Sequence, residues 1–302
     1  CRGVATRTRS VDVNGCLTGT FLSLIRAHRS SCGKIPCQLF LAMLRNYMTS
    51  KKSGNGDSLE VAWYDLPSER RSDYITWLHG LYLPKVLQHP GILWAAHYKL
   101  IKDDETVNRL SEFVGRPPEL ELLPEGSQYA LLIGAQSSHV FFSDAYEAIQ
   151  NSNNETPEML GLRQGTRRVV CIEQARVEGP EFKAENASGA PAPAIQLGHF
   201  RVRTVEEEFD LARWYLDYRL PAIGSMPGAV GARKFVTLAG WVKHVILYEF
   251  VSLEAHKTHF LGHESLAFKE GEWTNKVVTY AAHAPGSPGF GRRIWPESQE
   301  SE

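Results

Sequence analysis

Apolar and polar positions follow the same succession of strand and helix patterns twice along the chain. In each copy an alternating segment precedes a helical one, and two more alternating segments, a second helix and a last strand follow. The segments expected in the first copy are residues 59–66, 68–82, 92–100, 129–135, 143–150 and 168–170. Those expected in the second copy are residues 195–203, 205–218, 229–238, 244–251, 252–261 and 276–278. The pattern therefore predicts an α+β fold made of two β-α-β-β-α-β units.

Tryptophan, proline and glycine recur with the same spacing in both copies. When Trp77 is aligned with Trp214, the pattern W-x5-L-P-x5-P-G-x3-A that begins at each tryptophan matches without a gap. The proline of each L-P pair suits the first turn of a further short helical piece, and each P-G pair predicts a turn. Because this strand and helix order is the ferredoxin-like one, we expect two tandem ferredoxin-like units.

Changes in composition suggest the boundaries of these units. Residues 48–178 are expected to form the first unit, 179–194 a linker rich in Gly, Ala, Pro and Glu, 195–283 the second unit, and 284–302 a flexible tail. Within the first unit, residues 101–127 are predicted to be a surface loop or lid, because they contain a Pro-Pro pair and many acidic residues.

Residues 1–47 differ from the remainder, with four of the five cysteines and seven basic residues against one acidic residue. One interpretation is a transit peptide, and another is a zinc or disulfide module, although the cysteine spacings give no C-x-x-C motif. The third is an extension outside the fold, with translation starting at Met48. We expect the third, which leaves Cys171 as the only cysteine of the fold and favours a cytoplasmic location.

Composition and charge exclude several classes of protein. A hydrophobic fraction of 43% with 22% charged residues is typical of a globular chain. The net charge of −1 argues against binding nucleic acid through bulk charge. No apolar run reaches the length of a membrane-spanning helix, so we expect no membrane partner. The chain also lacks the P-loop, G-x-S-x-G and H-E-x-x-H motifs.

The second copy carries a set of short sequence runs that resembles a known family. A helix with the run R-W-Y comes first, and the L-P pair, the P-G pair and a strand with the run A-R-K-F follow it. These runs are Arg213-Trp214-Tyr215, Leu220-Pro221, Pro227-Gly228 and Ala232-Arg233-Lys234-Phe235. The pattern resembles the dimeric α+β barrel superfamily, and most closely its EthD-like group. The resemblance implies that two ferredoxin-like units enclose a barrel, here within one chain as an intrachain pseudo-dimer.

The resemblance also implies a cofactor-independent enzyme that acts on a small aromatic or polyketide-like molecule held between sheet and helices. Its chemistry would be proton transfer of a lyase, dehydratase or isomerase type, or that of a monooxygenase. EthD-like sequences often carry a histidine two residues before the helix-ending proline, where this chain has Tyr82 and Arg219. That departure favours the alternative, a non-catalytic ligand-binding or scaffold protein of the same superfamily. A homodimer of the pseudo-dimeric chain is left open.

Candidate catalytic residues lie in the second copy. Strand alternation places His199 and Arg201 on one face, which we expect to point into the barrel or the cleft. His199 is a candidate general base because an unperturbed imidazole titrates near neutrality. Arg201 or Arg233 is a candidate to hold a carboxylate or to stabilise an enolate or phenolate. The alternative is a structural, polar cross-strand pair.

The alignment of the two copies gives each of these side chains a partner in the first copy. The pairs are Ala62 with His199, Tyr64 with Arg201, Ala96 with Arg233, and Tyr82 with Arg219. Because basic residues stand only in the second copy, we expect the reactive site there. The first copy is then an apolar pocket or only structural.

Aromatic residues are concentrated in the first copy and would suit a flat apolar ligand. The candidate substrate-binding residues are Tyr64, Tyr82, Trp94, His97 and Arg219. The alternative is ordinary core packing. His79, one turn before Tyr82, is expected to face the cleft or water.

Three histidines have a spacing that a metal site requires. His256, His259 and His263 follow each other at i, i+3 and i+7, on one face of a helix. A solvated helix face explains the same spacing, and Gly262 weakens the last turn. We therefore expect neither a metal nor an organic cofactor.

Overall fold

The computed structural model describes residues 57–101, 122–183, 189–261, 263 and 272–297. The expected extension at residues 1–47 and most of the expected lid at residues 101–127 lie outside the described residues. Their interpretation stays an expectation.

The first half of the described chain contains four strands and four α-helices, two of which are joined by a π-helical turn. In chain order these elements are β1 Ser58–Asp65, α1 Arg71–Trp77, the π-helical turn Leu78–Tyr82, α2 Leu83–Leu87, β2 Ile92–Ile101, β3 Tyr129–Ala135, α3 Asp144–Gln150, α4 Glu155–Gly161 and β4 Gln164–Glu178. Short 3-10 helices occupy Ser68–Arg70 and Ser138–Phe142.

The second half repeats this order, with its last strand divided in two. Its described elements are β5 Ala194–Arg201, α5 Val205–Trp214, the π-helical turn Tyr215–Arg219, α6 Leu220–Gly224, β6 Ala229–Ala239, β7 His244–Phe250, α7 Leu253–Ala255, the π-helical turn His256–Leu261, α8 Trp273–Tyr280, β8 Ala282–His283 and β9 Gly289–Trp295. A capping box of Thr204 and Glu207 starts α5.

Eight of the described strands form a closed antiparallel ring. The first half has the order β4-β1-β3-β2, and the second has β6-β7-β5 followed by β8 and β9. Strand β4 pairs with β6 and strand β2 pairs with β9, so each of the two seams joins one half to the other. The prediction of two ferredoxin-like units that form an intrachain pseudo-dimeric α+β barrel is confirmed.

Alternation along the strands separates an interior cluster from the helix-covered faces. The interior cluster contains Leu59, Val61 and Trp63 of β1, and it includes Leu197 of the second half. Tyr64, which follows directly, packs with the first-half helices. Each half therefore has its own helix–sheet layer, and the two halves share the interior of the ring.

The sheet face on which each side chain lies corrects the alignment of β1 with β5. The gapless alignment of the two copies paired Ala62 with His199, but Ala62 packs on the helix side. His199 instead stacks on Trp63, with ring centroids 4.2 Å apart. By face, Trp63 therefore corresponds to His199 and Tyr64 to Phe200, because a shift of one residue in a strand exchanges its two faces.

Both long helices contain a π-helical turn at the same place. Leu78–Tyr82 connects α1 to α2, and Tyr215–Arg219 connects α5 to α6. The prolines of the L-P pairs stand just after these π-helical turns, in the first turn of α2 and α6. The π-helical turns end at Tyr82 and Arg219, which are only 5% and 2% exposed.

Two expectations near the end of the chain are wrong. Residues 276–278, expected as the last strand, lie in α8, which buries Thr274, Val277 and Tyr280 at helical spacing. Residues 284–302 were expected to be a flexible tail, but β9 lies within them and pairs with β2 and β5. These two strands would otherwise present unpaired backbone groups at an open seam.

Among the described residues, no helix combines the length and the apolar character needed to cross a membrane.

Candidate functional site

His199, the expected general base, lies inside the ring. Its side chain is fully buried, and its Nε2 lies 3.3 Å from the carbonyl oxygen of Pro285. Burial, reinforced by the charge of Arg167, holds the pKa of His199 well below its usual value. His199 is therefore a neutral core imidazole stacked on Trp63.

The two arginines expected to act with His199 have other partners. Arg201 is exposed, and its guanidinium lies 5.1 Å from the ring centre of Trp241. Arg233 is 4% exposed, and its Nε lies 2.8 Å from Glu173 Oε2. The contacts of the three residues therefore do not converge on one site.

Arg233 belongs to a cluster of charges inside the ring. Glu173 pairs with Arg233 and also with Arg176. Glu249 accepts a hydrogen bond of 2.8 Å from the backbone N–H of Ala192, and burial raises its pKa although Arg233 opposes this shift. Because carboxylates already neutralise the charge of Arg233, this side chain contributes to the structure of the ring.

Three of the expected substrate-binding residues gather in the first helix–sheet layer. Tyr64 and His97 are in direct contact, and Tyr82 packs nearby on Trp77 with ring centroids 5.1 Å apart. Burial raises the pKa of Tyr82 to about 12, so its hydroxyl stays protonated. Trp94 lies on the opposite face of the sheet, in the interior cluster.

Arg219, the fifth of these residues, lies in the second helix–sheet layer. Its guanidinium lies 4.6 Å from the ring centre of Trp214 and 5.2 Å from that of Phe260. The π-helical turn directs this side chain among aromatic rings at the position that Tyr82 occupies in the first half.

A continuous chain of hydrogen bonds crosses the first layer. Tyr64 Oη lies 3.0 Å from His97 Nε2, and His97 Nδ1 lies 2.8 Å from His79 Nε2. Tyr64 and His97 are fully buried, whereas His79 is partly exposed. Strands β1 and β2 supply the first two residues and the π-helical turn supplies the third, so the chain runs from the sheet to the helix surface.

Burial fixes the protonation states along this chain. It lowers the pKa of His97 well below its usual value, and the neighbouring His79 and Arg163 add to the shift. It also lowers the pKa of His79, and it raises that of Tyr64 well above its usual value. At neutral pH the chain therefore consists of a protonated phenol and two neutral imidazoles, which can pass protons in either direction.

Arg163 brings a positive charge to the buried end of the chain. Its guanidinium lies 4.5 Å from the ring centre of Tyr64, and its Nε donates a hydrogen bond of 2.6 Å to Tyr74 Oη. Among the described residues, Arg163 Nη2 is a buried nitrogen without a hydrogen-bond partner. Burial opposes the charge of Arg163, but Tyr74 and Tyr64 outweigh it and the net shift of the pKa is upward.

Sequence reasoning missed the importance of His79 and Arg163. The sequence did not decide whether His79 faces the cleft or water, because the pattern of a regular helix does not indicate a π-helical turn. Arg163 directly precedes β4 and has no motif around it. The concentration of Tyr and His in the first copy was the available signal, and it was interpreted there as an apolar pocket.

The three histidines of the second half do not share one helix face. His256 is buried, with its Nε2 2.7 Å from Gln196 Oε1, whereas His259 is exposed. The π-helical turn His256–Leu261 changes the helical phase on which the spacing argument depended. Within the described part of the chain, no group of three or more His, Cys, Asp or Glu residues is placed to hold a metal ion.

No protein-family model and no curated protein sequence matches the chain. Solved structures do match it. An anthrone oxidase-like protein shares 11% sequence identity at a TM-score of 0.51, over 80% of this chain and 94% of that one.

Two further matches have lower scores. A dye-decolorizing protein from V. cholerae is 12% identical with a TM-score of 0.44, over 80% of this chain and 94% of its own. A chlorite dismutase variant from Candidatus Nitrospira defluvii is 13% identical with a TM-score of 0.43, over 79% and 91% of the two chains. At such identities the likeness concerns the fold alone. The chain has the dimeric α+β barrel fold.

Proposed function

We propose that the protein is a cofactor-independent enzyme that removes a proton from a small aromatic or polyketide-like molecule. The site is the helix–sheet layer of the first half. The observation that carries this proposal is the hydrogen-bonded chain of Tyr64, His97 and His79, because it connects a buried phenol to a partly exposed imidazole.

Tyr64 Oη is the end of the chain that meets the substrate. As this oxygen takes a proton from the substrate, the phenolic proton moves to His97 Nε2. The proton on His97 Nδ1 then moves to His79 Nε2, and His79 releases its other proton to water. One proton enters and one leaves, and each group returns to neutrality.

Arg163 stabilises the negative charge that proton loss leaves on the substrate. Its guanidinium lies beside the Tyr64 ring, and its Nη2 has no hydrogen-bond partner among the described residues. A cation held in a dry layer stabilises an enolate or a phenolate far more than it would in water.

The resemblance of the A-R-K-F region to EthD-like sequences supports membership of that group. In the first half, where Tyr82 stands in place of the usual histidine, His97 offsets its absence by reaching the same layer from β2. The boundaries of the first unit at residues 48–178 and a homodimer of the whole chain also remain proposals. Light scattering on the purified protein tests the homodimer.

Anthrone is the first probe, because the anthrone oxidase-like protein has the same fold. Its methylene carbon loses a proton to give a stabilised carbanion, so exchange of this position with D2O measures proton abstraction directly. We expect the wild-type protein to accelerate the exchange under anaerobic conditions, as followed by NMR.

Two variants test the roles. His97→Ala is expected to slow the exchange by about 10²–10⁴-fold, the usual contribution of an acid–base group. His139→Ala, at an exposed histidine of the 3-10 helix Ser138–Phe142, is the matched control and should leave the rate unchanged. Exchange that is unaffected by His97→Ala contradicts the proposal. Binding of anthrone without any exchange favours the non-catalytic ligand-binding alternative.

A further inference from the structure

A buried lysine occupies the second helix–sheet layer at the position that His97 has in the first. Lys234 stands on β6 as His97 stands on β2, and both side chains face the helices of their half. Lys234 is only 2% exposed. Its Nζ donates a hydrogen bond to Gln174 Oε1 and lies 5.2 Å from the ring centre of Tyr215.

An imidazole and a carboxylate extend from this amine toward the surface. Lys234 Nζ lies 3.4 Å from His244 Nδ1, and His244 Nε2 lies 3.0 Å from Glu208 Oε2. Glu208 also pairs with Lys243 at 2.9 Å, and the side chain of Lys243 is 50% exposed. The carboxylate fixes the tautomer of His244 with the proton on Nε2, so that Nδ1 is an acceptor directed at the amine.

The partners of Lys234 do not fix its charge. Among the described residues, no carboxylate lies within ion-pair distance of Nζ, and its nearest acceptor is the neutral amide of Gln174. A lysine buried only for structure would normally be paired with a carboxylate, because an unpaired ammonium is costly to desolvate. An amide oxygen can accept a hydrogen bond from an ammonium or from a neutral amine, so this contact is compatible with either state of Lys234.

Burial accordingly favours the neutral amine. It lowers the pKa of Lys234 to about 8, with Glu208 opposing and Lys243 reinforcing the shift. Burial and Lys234 together lower the pKa of His244 to about 4, so this imidazole is neutral as well. At pH 7.5 a much larger fraction of Lys234 than of an exposed lysine is then neutral.

We propose that Lys234 is a nucleophile that binds a small aldehyde or ketone as a Schiff base in the layer between α5 and the second-half sheet. The nitrogen lone pair attacks the carbonyl carbon and forms a C–N bond, and His244 Nδ1 passes the first nitrogen proton to the carbonyl oxygen, which becomes the hydroxyl of a carbinolamine. His244 Nδ1 then accepts the second nitrogen proton and delivers it to the hydroxyl, whose C–O bond breaks as the C=N bond forms. Loss of water gives the imine, and the sequence consumes neither an oxidant nor a reductant.

Reductive trapping tests this site on the full chain. The wild-type protein is incubated with benzaldehyde and cyanoborohydride at pH 7.5, and the modified peptides are identified by mass spectrometry. We expect Lys234 to be modified about tenfold faster than the exposed Lys243, because a much larger fraction of its amine is neutral. The rate at Lys234 should level off above pH 8.

Two variants complete the experiment. Lys234→Arg keeps the charge and removes the nucleophile, so the fast modification should disappear, whereas it should persist in the matched control Lys243→Arg. Modification of Lys234 that is no faster than that of Lys243 in the folded wild-type protein overturns the proposal. Anthrone exchange in Lys234→Arg should be unchanged, so the test of the Lys234 site is independent of the test of the first-half site.

Discussion

His97 Nδ1 lies 2.8 Å from Nε2 of His79, although one residue belongs to a strand and the other to a π-helical turn. Through this contact a fully buried imidazole reaches one that is partly exposed. Because His97 is already hydrogen-bonded to Tyr64 on its other nitrogen, neither of its nitrogens is left for a ligand. In the proposed function, this pair passes protons between Tyr64 and the surface of the protein.

Removing the outer histidine should interrupt proton exchange without unfolding the protein. His79→Ala is expected to slow anthrone exchange by at least about tenfold, because His97 loses its partner toward water. Added imidazole should restore part of the rate in this variant, as followed by NMR. Imidazole should not rescue His97→Phe, whose larger side chain fills the buried position.

The interior histidine should make stability depend on pH. The pKa of folded His199 lies well below the value of about 6.5 in the unfolded chain, so below that pH the unfolded chain binds the proton first. The free energy of unfolding is therefore expected to fall as the pH is lowered from 7 through 6.5 toward 5. Urea unfolding at a series of pH values measures the slope.

His199→Phe keeps the stack on Trp63 and removes the titrating group. The change removes the 3.3 Å contact of His199 Nε2 with the Pro285 carbonyl oxygen, but that oxygen keeps a hydrogen bond from Arg167, so we expect a loss of about 1 kcal/mol at pH 7. The dependence on pH should be weaker than in the wild type. An unchanged slope would assign the acid sensitivity to other groups.

Glu173, inside the ring, should be essential for stability. Glu173 pairs with Arg233 and Arg176, and the side chains of Glu173 and Arg233 are 11% and 5% exposed. Glu173→Gln leaves two buried cations less well balanced, so we expect a loss of about 3–5 kcal/mol in the free energy of unfolding. Adding Arg233→Met should recover part of this loss in chemical denaturation, and a purely additive result would show that the pair is not coupled.

The glycines of the two P-G turns should tolerate no side chain. Gly91 and Gly228 have φ values of +92° and +78°, and a Cβ would approach Val140 and Ala255 to 2.8 and 2.6 Å. Alanine at either position should destabilise the protein by about 1–2 kcal/mol. Gly161→Ala is the control, since no atom lies within 4 Å of the place its methyl group would take, and it should change thermal stability little.

Much of the fold could be predicted from the sequence, because strand alternation and the paired L-P and P-G signals are local. Tyr129–Ala135 forms a strand with the bounds that the pattern gave. The closing strand β9 was missed, because its composition, with glycines and arginines, resembles that of a flexible tail. It forms a strand by pairing with the open edges of β2 and β5. Long-range pairing of this kind leaves no periodic signal in the strand itself.

The site was harder to predict than the fold. Alternation correctly directed His199 away from the helices, but it could not show that the interior of the ring is filled around it. The chain through His79 depends on a π-helical turn, which changes which side chains face the sheet and has no sequence signature. The gapless alignment of the two copies also hid a shift of one residue between the first strands, and that shift exchanged the two faces.

Closure of the ring within one polypeptide has a consequence for how its two layers evolve. In a barrel assembled from two identical chains, every substitution appears twice, so both layers must carry the same chemistry. Here each seam joins two differently encoded halves, β4 to β6 and β2 to β9. A mutation can therefore change one layer and leave the other as it was. The same structural position is an imidazole in one layer, at His97, and a primary amine in the other, at Lys234.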